Sequence, residues 1–267
     1  MNYIGIDIGS TASKICILRE NGEPEFKVMP TGWNSKITSG IILDGLTEEL
    51  GSVEDCRIVA TGYGRISVDY ADKVITEISC HGRGGYEMIG RDCSIVDIGG
   101  QDTKFINVKR GRAVDFLMND KCAAGTGKFI EVMANRLGVT IGELFDLAAK
   151  GKPLPLSSIC TVFAESEVIS YMGEGKEKDE IAAGVINSVA IKVVALMQRK
   201  ELMDTVIVTG GLSDNPFFAK LLSEKLHREV LPMENGRYAG AYGAAILARE
   251  KLGRSQATFQ LAKICDY

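Results

Sequence analysis

Residues 4–14 read Ile-Gly-Ile-Asp-Ile-Gly-Ser-Thr-Ala-Ser-Lys, and residues 95–104 read Ile-Val-Asp-Ile-Gly-Gly-Gln-Asp-Thr-Lys. Each segment is a short apolar run, then Asp-Ile-Gly, then small polar residues and a lysine. The apolar run predicts a buried strand, and the glycines predict a tight turn whose backbone N–H groups face an anion. One such turn is a weak signal, but two of them about ninety residues apart indicate a duplicated domain that closes on the phosphates of a nucleotide.

The composition is that of an ordinary globular chain. The 267 residues are 45% hydrophobic, and a formal net charge of −4 argues against a basic nucleic-acid-binding surface. No window approaches the ~18 consecutive apolar residues of a membrane helix, so we expect no membrane partner and no signal peptide. The seven cysteines show neither a disulfide framework nor zinc-ribbon spacing. This favours the cytoplasm, where thiols stay reduced.

Strands alternate with helices along the chain, which predicts an α/β fold. Predicted strands are 3–8, 14–19, 26–29, 57–61, 94–98, 103–108, 113–118, 204–209 and 230–231, and predicted helices are 35–50, 77–89, 125–138, 140–149, 162–173, 178–200, 215–227 and 239–251. A strand pair follows each Asp-Ile-Gly turn, and Asn21-Gly22 predicts a hairpin, so both sheets should be mixed. We expect two lobes flanking a cleft: residues 1–91 plus 240–267, whose last helix returns to the first lobe, and residues 92–239.

The two turns supply candidate ligands for a triphosphate and Mg²⁺. Candidate phosphate contacts are Gly9, Ser10, Thr11, Ala12, Gly99 and Gly100, with Lys14 as a counter-charge. Asp7 and Asp97 end apolar strands, where an unpaired carboxylate is costly, so the pair is predicted to hold Mg²⁺ through its waters. Gln101 or Asp102 is the candidate catalytic residue that orients an attacking water. The alternatives are that each aspartate only caps its own turn and that Lys14 is a solvated lysine at a strand edge.

Two glycine-rich segments near the C-terminus have different predicted roles. The strand at residues 206–209 runs into Gly210 and Gly211, where the backbone can approach a base or sugar closely. We interpret this as an adenosine platform, with a simple tight turn as the alternative. Residues 240–245 form a small-residue helix face, which we interpret as a hinge contact between the lobes rather than as a ligand site.

Together these elements resemble the phosphate, adenosine and connecting motifs of the actin, sugar-kinase and heat-shock-chaperone ATPase superfamily. Two further segments carry a closer resemblance: Asn-Asp-Lys-Cys-Ala-Ala-Gly-Thr-Gly at residues 119–127, and Ser-Ser-Ile-Cys-Thr-Val-Phe-Ala-Glu-Ser-Glu at residues 157–167. They are similar to the cluster-binding segments of the 2-hydroxyacyl-CoA dehydratase activators, which are homologous to the ATPase subunits of benzoyl-CoA reductases. Residues 61–65 and 77–81 also look like that family.

The resemblance implies two duplicated actin-like ATPase lobes with the nucleotide in the cleft. It implies a homodimer with one 4Fe–4S cluster at the subunit interface, bound by Cys122 and Cys160 of each chain. It further implies hydrolysis of ATP to ADP with Mg²⁺ and delivery of a low-potential electron to a partner iron–sulfur enzyme, either a 2-hydroxyacyl-CoA dehydratase or a double-cubane cluster protein. Ferredoxin or flavodoxin would be the upstream reductant. Gly125 is a further candidate nucleotide contact; Glu131 is either a contact to the nucleotide sugar or part of a solvated helix face.

The chemistry of the residues agrees with this ligand set. A 4Fe–4S cluster takes four thiolates, and two cysteines from each of two symmetric chains supply four. Both cysteines immediately precede predicted helices, at 125–138 and 162–173, whose N-termini stabilise anionic sulfur. The other cysteines are expected to be buried (Cys16, Cys56, Cys93), helix-packed beside His81 (Cys80) or in the tail (Cys265). The competing functions are a sugar-type kinase, which leaves the cysteine segments unused, and a non-redox ATPase assembly module.

Overall fold

The computed structural model describes residues 1–19, 22–156 and 160–253. Its strands are β1 (Asn2–Ile8), β2 (Ala12–Arg19), β3 (Glu25–Pro30), β4 (Cys56–Thr61), β5 (Lys73–Val74), β6 (Cys93–Ile98), β7 (Thr103–Lys109), β8 (Arg112–Asn119), β9 (Val206–Gly210) and β10 (Leu231–Pro232). Its α-helices are α1 (Ser35–Leu50), α2 (Glu77–Ile89), α3 (Gly127–Leu137), α4 (Ile141–Ala148), α5 (Thr161–Gly173), α6 (Lys178–Met197), α7 (Pro216–Leu226) and α8 (Ala239–Leu252). Asn21 of the predicted hairpin turn, residues 157–159 and Cys265 lie outside the described residues.

The two sheets have the same strand order. One runs β3-β2-β1-β4-β5 and the other β8-β7-β6-β9-β10, so each strand of the first has a counterpart five strands later along the chain. Strand β1 pairs antiparallel with β2 and parallel with β4, and β6 pairs parallel with β9. The predicted α/β fold with duplicated, mixed sheets is therefore confirmed.

The chain forms two compact units, each with its own apolar core. The first comprises Met1–Arg91, Val108–Val114 and the segment that begins at Tyr238; the second comprises Asp92–Asn107 and Asp115–Arg237. The predicted lobe boundaries at 91/92 and 239/240 remain a prediction about domain organisation.

In the first unit, helix α8 packs closely on α2 and β1 through small residues. A Cβ added to Gly243 would overlap the carbonyl oxygen of Cys80, and one on Gly84 would overlap that of Ala239. A Cβ on Gly5 would likewise overlap the Ala241 carbonyl oxygen. The small-residue face that we interpreted as a hinge between lobes is thus occupied within the first unit, because glycine lets these backbones touch.

Helix α6 is the central helix of the second unit's core. The apolar stripe that the sequence predicts is buried, and it consists of Ile181, Val185, Ile186, Val189, Val193 and Leu196. By length and composition α6 could cross a membrane, contrary to the expectation from the sequence. However, 67% of its most apolar stretch is buried inside the protein, as in the core helix of a globular unit.

Candidate functional site

The first Asp-Ile-Gly loop connects β1 and β2 in a tight turn. The Gly9 amide donates to the Ala12 carbonyl at 3.2 Å, and the Thr31 hydroxyl donates to the Gly9 carbonyl at 2.8 Å. Ser10 and Thr11 form the exposed tip of this turn. The loop is therefore fixed at its base by hydrogen bonds, and its tip is open to a ligand.

Asp7, at the end of β1, is a buried carboxylate with one oxygen left over. The residue is 1% exposed, and Oδ1 has no hydrogen-bond partner among the described residues. Its other oxygen, Oδ2, lies 3.7 Å from Lys14 Nζ. A Cβ on Gly62 would overlap Asp7 Oδ1, and a Cβ on Gly240 would come within 2.8 Å of Oδ2, so glycines keep the space around this carboxylate open. A buried carboxylate with one oxygen that lacks a hydrogen-bond partner is suited to hold a hydrated cation.

The second loop, between β6 and β7, has the same turn as the first, but its aspartate carboxylate has different partners. The Gly99 amide donates to the Asp102 carbonyl at 2.9 Å, as Gly9 does to Ala12. Both oxygens of the Asp97 carboxylate are engaged: the Thr209 hydroxyl donates to Oδ1 at 2.8 Å, and Lys104 Nζ lies 3.6 Å from Oδ2. Asp7 therefore has one oxygen without a hydrogen-bond partner among the described residues, whereas both oxygens of Asp97 are engaged. We call Asp7 the open aspartate and Asp97 the paired aspartate.

The strand next to each central aspartate also repeats. Asp7 lies opposite Thr61 in the β1–β4 register, and Asp97 lies opposite Thr209 in the β6–β9 register. The glycine after each threonine, Gly62 or Gly210, has a positive φ of 86° or 87°. A Cβ on Gly210 would overlap the Ile98 carbonyl oxygen. The sequence analysis did not identify Thr61 and Thr209 as candidate site residues. The Thr-Gly pair that ends both strands could have pointed to them.

The second loop is hydrogen-bonded to the segment that contains Cys122. The amides of Gly127 and Lys128, at the start of α3, donate to the carbonyls of Gly99 and Gly100 at 2.9 and 2.8 Å. The Thr103 hydroxyl donates to the Gly125 carbonyl at 2.7 Å. The predicted phosphate loop and the predicted ligand segment are thus one hydrogen-bonded substructure within the second unit.

Cys122 is half-buried in the connection between β8 and α3. The Asn119 side-chain amide donates to the Cys122 carbonyl at 2.9 Å and so holds the backbone at this position. Cys122 lines a pocket of about 310 Å³ to which Lys192 and Arg199 contribute positive charge. Helix α3 begins only at Gly127, so the expectation that Cys122 directly precedes a helix N-terminus is wrong. The reason is that Gly125, with φ of 93°, turns the chain before the helix begins.

Cys160 is exposed and is the N-cap residue of α5, as the predicted helix start requires. The four other described cysteines, Cys16, Cys56, Cys80 and Cys93, are buried. Burial raises the pKa of the Cys16 and Cys80 thiols to about 12. Cys80 and His81 are both buried on α2, which agrees with a helix-packed pair.

Among the described cysteines, only Cys122 and Cys160 should react with iodoacetamide in native, iron-free protein at pH 8. The buried thiols are inaccessible, and those of Cys16 and Cys80 stay protonated because their pKa is about 12. Peptide mapping by mass spectrometry measures the modification, and guanidinium-unfolded protein, in which every cysteine reacts, is the control. Reconstitution with iron and sulfide should protect the two reactive cysteines. Equal labelling of Cys80 in the native protein would contradict this picture.

The remaining candidate residues have simpler surroundings. Gln101 is exposed in the second turn, and Gly211 is exposed with nothing within 4 Å of an added Cβ. Glu131 pairs with Lys128 at 3.2 Å on the partly exposed face of α3, which is the surrounding expected of a solvated helix face. The roles assigned to these residues, and to the loop residues above, remain predictions.

Comparison with known proteins places the chain in a family. The model of the BadF/BadG/BcrA/BcrD ATPase family matches residues 4–248. The (R)-2-hydroxyglutaryl-CoA dehydratase activating ATPase of Acidaminococcus fermentans is 42% identical over 255 residues, which are 94% of this chain and 98% of that protein. The structure of the activator of the 2-hydroxyisocaproyl-CoA dehydratase from Clostridium difficile with bound ADPNP has a TM-score of 0.89 and 38% identity, covering 97% of this chain and 98% of that one.

A more distant similarity concerns the fold alone. A ROK family glucokinase from Streptomyces griseus has a TM-score of 0.61 at 17% identity and covers 94% of this chain and 100% of that one. The actin-like and sugar-kinase ATPase fold expected from the two loops is thereby confirmed. The extent and identity of the closer matches go further than the fold, and the chain belongs to the BadF/BadG/BcrA/BcrD ATPase family.

Proposed function

We propose that the chain is an ATP-hydrolysing activator that delivers a low-potential electron to a partner iron–sulfur enzyme in the cytoplasm. The acceptor would be a 2-hydroxyacyl-CoA dehydratase or a double-cubane cluster protein, and ferredoxin or flavodoxin would supply the electron. The names of the relatives support the activator role, because they include a dehydratase activating ATPase and a dehydratase activator. The electron transfer is supported by the chemistry of two cysteines.

The donor set of the second unit fits half of a 4Fe–4S site. Cys122 is half-buried and Cys160 is exposed, whereas the four other described cysteines are buried. Two thiols do not complete a cluster that takes four, so we propose a homodimer in which each chain contributes both. Lys192 and Arg199 beside Cys122 add positive charge, which favours an anionic cluster.

The first loop fits a magnesium-bound phosphate chain. The tip residues Ser10 and Thr11 expose backbone donors, and Asp7 offers an unpartnered, buried oxygen in a space that Gly62 and Gly240 keep open. Mg²⁺ retains several waters and is usually held through one or two carboxylates together with substrate phosphates. We propose that Asp7 holds this hydrated ion and that Lys14 adds a positive charge nearby.

The single observation that carries the coupling is the set of hydrogen bonds between the second loop and the Cys122 segment. Gly99 and Gly100 accept bonds from the first amides of α3, and Thr103 binds the Gly125 carbonyl from the other side. A shift of this loop on ATP hydrolysis therefore has to move the start of α3 or break these bonds. We propose that the residues that follow Cys122 change position with the nucleotide state in this way.

The protein would position the cysteine ligands of the cluster and determine the surroundings of the cluster. When bound, a 4Fe–4S cluster supplies a one-electron carrier whose potential depends on hydrogen bonds and solvent exposure. The residues around Cys122 set both quantities, since Asn119 fixes the backbone there. Nucleotide-driven movement of this segment would change the access of solvent to the two sulfur atoms. Hydrolysis would then return the segment to its starting position, which makes transfer to the partner effectively one-way.

An anaerobic preparation tests this function against its competitors. We expect a brown homodimer with four iron and four sulfide atoms for each pair of chains, and oxidation by a purified 2-hydroxyacyl-CoA dehydratase that requires ATP hydrolysis. Metal analysis, phosphate release and electron paramagnetic resonance measure these three properties. An iron-free protein whose ATP consumption rises with an added sugar would instead indicate a kinase. A colourless dimer that shows no redox signal would indicate an assembly module.

A further inference from the structure

We infer that Lys104 is a positioning residue for ATP hydrolysis, which orients Asp102 toward the attacking water. The inference rests on the proposed hydrolysis and extends it to a residue that sequence analysis did not single out. Lys104 Nζ lies 2.8 Å from Asp102 Oδ1 and 3.6 Å from Asp97 Oδ2. Its side chain is only 2% exposed. Asp97, near the end of β6, and Asp102, in the second loop, both place a carboxylate near this buried ammonium group and help to compensate its charge.

The first loop lacks this arrangement at the matching positions. Aligning the two Asp-Ile-Gly segments places Ala12 where the second loop has Asp102, and Lys14 where it has Lys104. The alignment is structural as well, because Ala12 and Asp102 each accept the hydrogen bond that closes the turn. Lys14 is 22% exposed and has a single carboxylate at 3.7 Å. The two loops therefore differ, and the second has a carboxylate that a lysine orients.

Lys104 holds the Asp102 side chain in place over Gly99. Lys104 binds its Oδ1 atom, and a Cβ on Gly99 would overlap that same atom, so the carboxylate folds over a glycine that leaves room for it. The side chain is 26% exposed, which gives it contact with solvent. A carboxylate that a buried lysine holds in place and that reaches solvent is suited to orient a water molecule for attack.

Lys104 should consequently affect turnover rather than nucleotide binding. Its ammonium group faces two protein carboxylates, and Asp97 is also bound by the Thr209 hydroxyl. Lys14, in contrast, lies beside the open carboxylate of Asp7 and should affect the binding of the magnesium–nucleotide complex. The two lysines thus differ in which kinetic constant they control.

The test compares Lys104→Met, Lys104→Arg and Asp102→Asn in the purified homodimer. It also includes the two double variants that combine Asp102→Asn with each lysine substitution. We expect kcat for phosphate release to fall on the order of 10²-fold for Lys104→Met and for Asp102→Asn, since small misplacements of reacting groups have effects of this size. The Kd for a fluorescent ADP analogue should stay unchanged in both. Each double variant should be no slower than Asp102→Asn alone, because Lys104 acts through Asp102.

Two controls fix the interpretation. Lys109→Met removes an exposed lysine from the same strand and should leave kcat and Kd unchanged, whereas Lys14→Met should raise the Kd. Should Lys104→Met fail to fold, the Lys104→Arg cycle decides, because it keeps the charge and changes the shape. Additive losses in the double variants, or a loss confined to KM, would overturn the inference.

The readout also separates this inference from the electron transfer. Phosphate release does not depend on a partner enzyme, so a chain that hydrolyses ATP but reduces no acceptor contradicts the proposed redox role and leaves the Lys104 result intact. A wild-type chain that releases no phosphate under any condition overturns both.

Discussion

Replacing Cys122 with serine should remove the brown chromophore and all ATP-dependent electron delivery, while nucleotide affinity stays at the wild-type level. In a homodimer the substitution removes two of the four thiolates, and a serine hydroxyl is not a comparable ligand for iron–sulfur clusters. The local backbone should survive, because Asn119 holds the Cys122 carbonyl and Thr103 holds the Gly125 carbonyl. Absorption spectra, iron content and the Kd for ADP measure the three expected properties.

Cys160→Ser provides an independent version of the same experiment. Cys160 is the N-cap of α5, and serine is among the preferred residues at that position. The variant should therefore fold at least as well as the wild type and still lose the chromophore. Cys56→Ala, which alters a buried cysteine of the first unit, is the matched control and should keep full iron content. A complete 4Fe–4S spectrum in either Cys122→Ser or Cys160→Ser would refute the ligand assignment.

Much of the fold was predictable because local patterns and tertiary packing agree. The apolar residues of α6 recur at helical spacing and are buried as expected, although the helix ends at Met197 rather than at residue 200. Strand β5 was missed because its two residues, Lys73 and Val74, are exposed and do not form an apolar run. The predicted start of α3 was too early because Gly125, with φ of 93°, turns the chain. The first amides of the helix, those of Gly127 and Lys128, then bind carbonyls of a loop that is distant in sequence.

The candidate site was predictable in residue type and less so in chemistry. Repeated Asp-Ile-Gly segments identify the two loops, and the cysteine segments stand out by resemblance. Sequence alone gave no reason to distinguish Asp7 from Asp97, since both end apolar strands. Each has a lysine nearby, but Lys104 beside Asp97 is buried, whereas Lys14 beside Asp7 is partly exposed. The Thr209 hydroxyl donates to Asp97 Oδ1, whereas Asp7 Oδ1 has no hydrogen-bond partner among the described residues. A lysine in a strand is ordinarily interpreted as solvated, so its burial becomes evident only in three dimensions.

Replacing Asp7 with asparagine should greatly lower Mg²⁺-dependent ATP hydrolysis and at the same time leave the ligand-free protein as stable or more stable. The loss of turnover should be on the order of 10²-fold or more, because the variant lacks the charge that we propose holds the hydrated ion. The stability follows from Oδ1, a buried carboxylate oxygen without a hydrogen-bond partner among the described residues. Removing a charge that is poorly compensated reduces the desolvation cost of folding, by about 1 kcal/mol here.

Asp97→Asn is the matched control, and its effect on stability should have the opposite sign. Asp97 pairs with Lys104, whose side chain is 2% exposed, so neutralising it leaves a buried ammonium with less compensation. Breaking such a pair costs about 3 kcal/mol. Thermal unfolding of the ligand-free proteins, together with Mg²⁺ titrations of phosphate release, measures both effects. If Asp7→Asn destabilised the fold as much as Asp97→Asn and kept its Mg²⁺ dependence, Asp7 would be a structural residue. The distinction between an open and a paired aspartate would then carry no function.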